Sequence, residues 1–239
     1  MLILQCETHQ KAIQMTSQAA NGIAPAHIIR QMVETGHVIA DSPLDVDQVQ
    51  PASLDLRLGE VAWRVRASFM PGPRNTVSDR LEQLSLHKID LTDSAVLEVG
   101  CVYIVPLLES LALDDTMSAA ANPKSSTGRL DIFTRVIADR AAEFDTVPAG
   151  YTGPLYAEIS PRTFPILVRT GSRLSQIRFR AGTVSTSDEL IHELHNQKPL
   201  VTSGDVSIDN GIALSVDLSS FGDGQPVGFR AKRHSGLVD

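Results

Sequence analysis

Short runs of alternating apolar and polar residues, each closed off by Gly, Pro, Ser or Asp, recur along most of this 239-residue chain. They constrain its fold more than any other feature. "SLDLRLG" at 53–59 sets Leu54, Leu56 and Leu58 on one side and Asp55 and Arg57 on the other, the period of a half-buried strand. Gly59 suits a turn or bulge before "EVAWRVRA". Runs of the same kind are "HKIDL", "AVLEV", "CVYIVPL", "LDIFTRVI", "PLYAEIS", "FPILVR" and "RLSQIRFR". Little helix intervenes, so the expected fold is mostly β, an antiparallel barrel or sandwich.

Two helices are expected beside the strands. In "GIAPAHIIRQMVETGHV", Ile28, Ile29, Met32 and Val33 fall at helical spacing, with Pro25 at the start and Gly36 just past the end. "SDELIHELHNQ" opens on Ser187 and acidic residues that complement a helix dipole, and reads as a linker within 185–200. Residues 1–22 show no sustained period and read as a flexible tail; "MTSQAANGIAP", from Met15, reads as a natural amino terminus. The principal domain is expected over 23–184. After residue 201, "LSVDLSS" echoes the earlier Ser-x-Asp-Leu opening, so 201–239 reads as the start of a second copy that is incomplete.

Composition removes several function classes. No apolar run approaches the roughly 20 residues that span a bilayer, and the opening reaches polar residues too soon for a secretory signal, so the expected location is the cytoplasm, away from membranes. Cys6 and Cys101 are too few for a disulfide framework or a cysteine zinc site. A net charge of -7 argues against binding nucleic acid. Yet residues 122–182 carry nine lysines and arginines against five aspartates and glutamates, a local excess that suits a small polyanion.

Two stretches carry candidate chemistry. In "PLYAEIS", alternation places Glu158 beside Tyr156 and opposite Leu155, Ala157 and Ile159. A carboxylate facing a barrel interior or a subunit interface loses solvation and can act as base or acid near neutral pH; on an outer face it is merely solvated. In "PKSSTGRL", Lys124, Ser125, Ser126 and Arg129 offer cationic and hydroxyl donors within six residues, suited to phosphate or developing negative charge. By itself this is equally an ordinary polar turn. The H-x-E and P-C-x-x-C signatures of zinc deaminases are absent, "HELH" at 192–195 has the wrong spacing for a zinc protease, and no Gly-rich phosphate loop occurs.

Four motifs in order weigh more than either stretch alone: "QPASLDLRLG" at 50–59, "PKSSTGRL" at 123–130, "VPAGYTGPLYAEIS" at 147–160 and "GSRLSQIRF" at 171–179. Together they resemble the dCTP deaminase branch of the dUTPase-like fold over roughly residues 23–182. The resemblance is to the long form with two fused domains. It implies a distorted β-barrel or sandwich with an N-terminal helix and a linker helix. It also implies hydrolytic deamination of dCTP to dUTP and ammonia, in a homotrimer with sites at subunit interfaces.

By the same resemblance Glu158, Arg129 and Ser125 are the catalytic residues, with Arg129 near Glu158 favouring its ionised form and Ser125 orienting the attacking water. Lys124, Ser126, Tyr151, Tyr156 and Gln176 are then the substrate-binding residues. No protein-bound metal is expected; magnesium arrives on the nucleotide triphosphate. The family's sugar-contacting aspartate is replaced by Pro148, and "DRAAEFD" at 139–145 reads as an insertion. The alternatives are a dUTP diphosphatase, an enzyme performing both steps, and a catalytically silent nucleotide-binding fragment.

Overall fold

The computed structural model describes residues 21–182, 186–202, 206–216, 218–219, 226–229 and 237. The expected tail lies almost wholly outside the described residues, as does much of the expected second copy. The chain divides into two compact units, one running to Thr183 and the other spanning Val184–Arg230. In the first unit the early strands are β1 Gly22–Ile23, β2 Val38–Ala40, β3 Val49–Gln50, β4 Ser53–Arg57, β5 Val61–Val65, β6 Ser85–Asp90 and β7 Ala95–Leu97. They are followed by β8 Val102–Ala112, β9 Met117–Pro123, β10 Ile132–Ala138, β11 Thr146–Val147, β12 Thr152–Pro161, β13 Ile166–Val168 and β14 Arg173–Ala181. Helices α1 Ala26–Glu34, α2 Val77–Leu84 and α3 Ser125–Arg129 interrupt them, and α4 Asp188–Gln197 belongs to the second unit.

The mostly β expectation holds. One sheet runs β11-β9-β14-β4-β3 with β1 on β14; a second runs β10-β12-β8-β5-β6 with β2 on β8; β13 and β7 pair separately. Leu54, Leu56, Ile177 and Phe179 of the first sheet pack with Tyr103, Val105, Leu155, Ala157 and Ile159 of the second in one core. A smaller cluster of Val65, Val77, Leu81, Ile104 and Ile137 covers the opposite face of the second sheet. Glu158 lies on that outer face, beside Ile104 of β8 and Arg135 of β10.

The helix read in "PAHIIRQMVETG" is α1, with Pro25 at its N-cap, Ile29 and Met32 buried, and Gly36 at φ 79 just beyond its end. The helix expected in "SDELIHELHNQ" is α4, capped by the Ser187 side chain. One expectation is corrected: β4 is buried on both faces, with Asp55 only 1% and Arg57 4% exposed. The Arg57 guanidinium is taken by Glu109 and by the carbonyls of Ser42 and Pro43, so its side of the strand is a polar interior.

Helix α2 escaped the sequence reading although its start is well signed. Thr76 accepts from the Asp79 backbone N–H, and the Asp79 side chain accepts from the Thr76 N–H, a reciprocal capping box. Thr76→Ala removes one acceptor, and urea denaturation should read a loss of about 1 kcal/mol. Strand β9, "MSAAANP", escaped because alanine and serine carry almost no amphipathic signal.

Candidate active site

Antiparallel pairing of β10 with β12 puts Arg135 directly across from Glu158, and pairing with β8 puts Ile104 on its other side. Glu158 is 1% exposed. As the alternation implied, Leu155, Ala157 and Ile159 point to the main core while Tyr156 packs against the outer cluster. Arg135 Nε and Nη2 both donate to Glu158 Oε1, at 3.1 and 2.5 Å. Oε2 is buried without a hydrogen-bond partner, and so is the Ser160 hydroxyl two residues along the same face. Buried polar groups are normally paired, so an orphan carboxylate oxygen marks either strain or work.

The expected insertion at 139–145 builds the wall of this site. Phe144 lays its ring 3.5 Å from the Arg135 guanidinium carbon, and Phe133 lies 4.8 Å from it. Asp139 Oδ1 accepts from the Val77 N–H and so ties α2 to the loop. Tyr156 is pushed up to about 12 by burial, with the Asp139 charge adding to it.

Asp145 accepts from the Val136 N–H and is held above the ordinary carboxylate value of 3.8, chiefly by burial. The Val136 hydrogen bond and the Arg135 charge pull it back, while the Glu158 charge adds to the rise. A raised folded value means that the folded state holds this proton more tightly than the unfolded chain. Its stabilisation is therefore complete below the unfolded value and is lost as pH rises through the folded one. Asp145→Asn keeps the acceptor and tolerates the backbone φ of 61 but cannot titrate. Its stability relative to the parent chain should climb with pH across that window and then level off. A difference that stays flat between about pH 3 and about pH 7 in thermal melts removes this account.

The serine-bearing motif forms a second cluster. Residues 125–129 are α3, anchored by the Lys124 N–H and the Thr127 hydroxyl, both donating to the Leu174 carbonyl at 2.9 Å. Ser125, Ser126 and Arg129 are exposed. Lys124 Nζ is paired with Asp55 Oδ2, and Arg173 reaches Asp47 at 2.9 Å, Asp45 at 3.5 Å and Asp55 at 3.7 Å. Gln176 sits opposite Asp55 and Asn122 and accepts from the Ser53 hydroxyl at 3.0 Å. Asp55 Oδ1 is a second buried carboxylate oxygen without a partner. The Arg173 guanidinium holds Asp47 below the usual carboxylate range. A polyanion entering here must compete with three carboxylates for two cations.

Within one chain no ion pair among the described residues joins the two clusters, while Pro123 and Gly128 of the serine-bearing motif line one cavity with Thr134, Arg135 and Asp145. One expectation needs correction. The cation on Glu158 is Arg135; Arg129 makes no ion pair among the described residues. Strand register decides this, because Arg129 ends a helix before β10 begins whereas Arg135 lies on the strand opposite Glu158. Tyr151 is 9% exposed and braces its own turn: its hydroxyl donates to the Pro154 carbonyl at 2.6 Å and accepts from the Asp139 N–H at 3.0 Å. Gly150 in that turn has φ 74, and a Cβ there would lie 2.5 Å from Asp115 Oδ1. Arg135, Phe144 and Arg173 were missed by sequence reasoning; the only signal for Arg135 was a lone cation within the apolar run "LDIFTRVI". Among the described residues no group of three or more His, Cys, Asp or Glu could hold a metal ion, and no helix is long and apolar enough to cross a membrane.

Comparison with known proteins places this geometry in a family context. A family model described as the N-terminal domain of 2'-deoxycytidine 5'-triphosphate deaminase matches residues 20–183, and that of its C-terminal domain matches residues 187–239. A protein of Beutenbergia cavernae named dCTP deaminase, dUMP-forming, is 30% identical over 152 residues, 63% of this chain and 75% of its own. A dCTP deaminase of Halorubrum lacusprofundi is 29% identical over 160 residues, 66% of this chain and 75% of its own. The crystal structure of 2'-deoxycytidine 5'-triphosphate deaminase from Agrobacterium tumefaciens is 59% identical with a TM-score of 0.85 and covers 92% of this chain. This chain spans 65% of the length of that solved relative.

Proposed function

The chain belongs to the dCTP deaminase family, and we propose that it hydrolyses dCTP to dUTP and ammonia with Glu158 as the proton carrier. One observation carries the assignment: Glu158 is a buried carboxylate with Oε1 fixed by Arg135 and Oε2 without a partner. Oε2 takes a proton from water as that water adds to C4 of the cytosine. It delivers that proton to the ring N3. It then takes the proton of the new C4 hydroxyl as the C4 carbonyl forms and passes it to the amino group, whose bond to C4 breaks so that it leaves as ammonia. General acid/base help of this kind contributes about 10²- to 10⁴-fold in rate. Because Oε2 is buried, substrate entry must open its present cover.

Ser125 orients the water, and Arg129 stabilises charge at the reacting centre. Lys124, Ser126 and Gln176 bind the triphosphate, which brings its own magnesium, while Tyr156 lines the base pocket. Tyr151 shapes the turn leading into the strand that bears Glu158. In the homotrimer proposed, a neighbouring subunit brings its Arg129 to Glu158; that Glu158 pairs within one chain with Arg135 and not with Arg129 supports this. The domain division proposed is 23–184 for the deaminase unit, 185–200 for the linker and 201–239 for a further domain. The location proposed is cytoplasmic, and the C–N hydrolysis proposed draws no metal from the protein.

Incubating the purified chain with dCTP and magnesium while following ammonia and pyrophosphate tests the reading. Ammonia without pyrophosphate is expected, since the water-holding aspartate needed for attack on phosphorus is replaced by Pro148. Pyrophosphate from dUTP with no ammonia from dCTP overturns it in favour of a diphosphatase. Light scattering should give the mass of three chains.

A further inference from the structure

We propose that Arg135 is a positioning residue that divides the Glu158 carboxylate into an anchored oxygen and a reacting one. The inference rests on the reading of Glu158 as the proton carrier and adds which oxygen carries the proton and what holds it there.

An arginine paired with a carboxylate for charge alone tends to spread two donors over two oxygens. Here both donors, Nε and Nη2, converge on Oε1. Oε2 is left bare, and the cover around it admits no water-sized contact. The consequence is an asymmetric group: the lone pairs of Oε1 are engaged, and Oε2 alone is open to accept and release a proton.

The guanidinium is itself held from several directions. Phe144 stacks on it at 3.5 Å and Phe133 lies at 4.8 Å. Its Nη2 also donates to the hydroxyl of Ser68, in the segment before α2, at 2.8 Å. Aromatic faces favour a cation and restrict rotation of the planar fork, which a lysine ammonium could not reproduce. Other titratable groups near it are Asp139 and Asp145, on the loop after β10, and Tyr156, two residues before Glu158. Among the described residues only Arg135 is hydrogen-bonded to the Glu158 carboxylate, so Arg135 decides which of its oxygens faces the reaction.

A bare cross-strand ion pair that merely stabilises the sheet would look similar in sequence but would behave differently when altered. If Arg135 positions, its loss leaves the substrate contacts intact and disturbs only the alignment of Oε2. Misplacement of about 1 Å at a reacting group can cost about 10²-fold in rate. In the full chain, Arg135→Gln should therefore lower kcat for dCTP about 10²-fold with KM changed less than about twofold. Arg135→Lys, which keeps the charge but not the fork, should recover only part of the loss. Guanidinium ion at tens of millimolar should restore part of kcat to Arg135→Ala and none to Glu158→Gln.

Melting curves taken alongside separate alignment from folding. A kcat for Arg135→Gln within about twofold of the parent chain, beside an inactive Glu158→Gln, overturns the role of Arg135 and leaves the reading of Glu158 standing. So does a rise in KM with kcat unchanged, which would make Arg135 a substrate contact, or full activity in Arg135→Lys. A parent chain without deaminase activity, or an active Glu158→Gln, overturns the underlying reading itself.

Discussion

Glu158→Gln should lower turnover of dCTP by about 10²- to 10⁴-fold, as measured by ammonia release, while dCTP still binds. Glutamine has the shape of glutamate, so the packing of Tyr156 and Ile104 around the position survives. Its amide oxygen can take the place of Oε1 and accept from Arg135 Nε and Nη2. What it cannot do is take a proton from water and return it to the ring. Stability should change little: the substitution removes the cost of a buried carboxylate, and the Arg135 side chain, 25% exposed, retains water as a partner. Calorimetry with dCTP and a melting curve complete the measurement. A variant that binds dCTP and keeps more than about a tenth of the parent rate would take Glu158 out of the proton path.

How far this site could be read from the sequence depended on how local its determinants are. The face occupied by Glu158 followed from alternation in "PLYAEIS" alone, because side-chain direction in a strand is fixed by neighbours one residue away. Arg135 did not follow. Its pairing with Glu158 depends on the register of two strands joined by a 13-residue connection with its own short strand β11, and no turn type sets that register. Phe144 was hidden for the same reason, since a residue in an insertion has no period to reveal what it packs on.

The misreading of Asp55 and Arg57 is the same lesson at the opposite face of the core. Period-two alternation reports that two faces differ in polarity, and the usual inference is that the polar face meets water. Here the polar face meets Glu109, Gln48, Lys124 and Arg173, which lie between 7 and 118 residues from the strand positions they touch. Helix α2 was legible in principle from Thr76 and Asp79, three residues apart before Leu81.

The Arg57–Glu109 pair supplies the largest expected effect on stability. Glu109 is 0% exposed and accepts three hydrogen bonds: from Arg57 Nε and Gln48 Nε2 at Oε1, and from the Arg57 backbone N–H at Oε2, each at 2.7 Å. Glu109→Ala leaves the buried Arg57 cation with only the half-exposed Asp45 carboxylate, 3.9 Å from Nη1, as counter-charge, a loss of about 3–5 kcal/mol. For a chain of this size that corresponds to a fall in melting temperature on the order of 10 °C. The pair also anchors the segment of Ser42 and Pro43 through their carbonyls, and that segment leads into Asp45 and Asp47, the partners of Arg173. Damage at Glu109 should therefore also weaken the proposed triphosphate cluster, read as a higher KM for dCTP at temperatures well below the melt. The double variant Glu109→Leu with Arg57→Met removes both charges and should regain part of the lost stability, because the groups then left unpaired are neutral. A double variant no more stable than Glu109→Ala would place the energy in the Gln48, Ser42 and Pro43 hydrogen bonds and not in the ion pair.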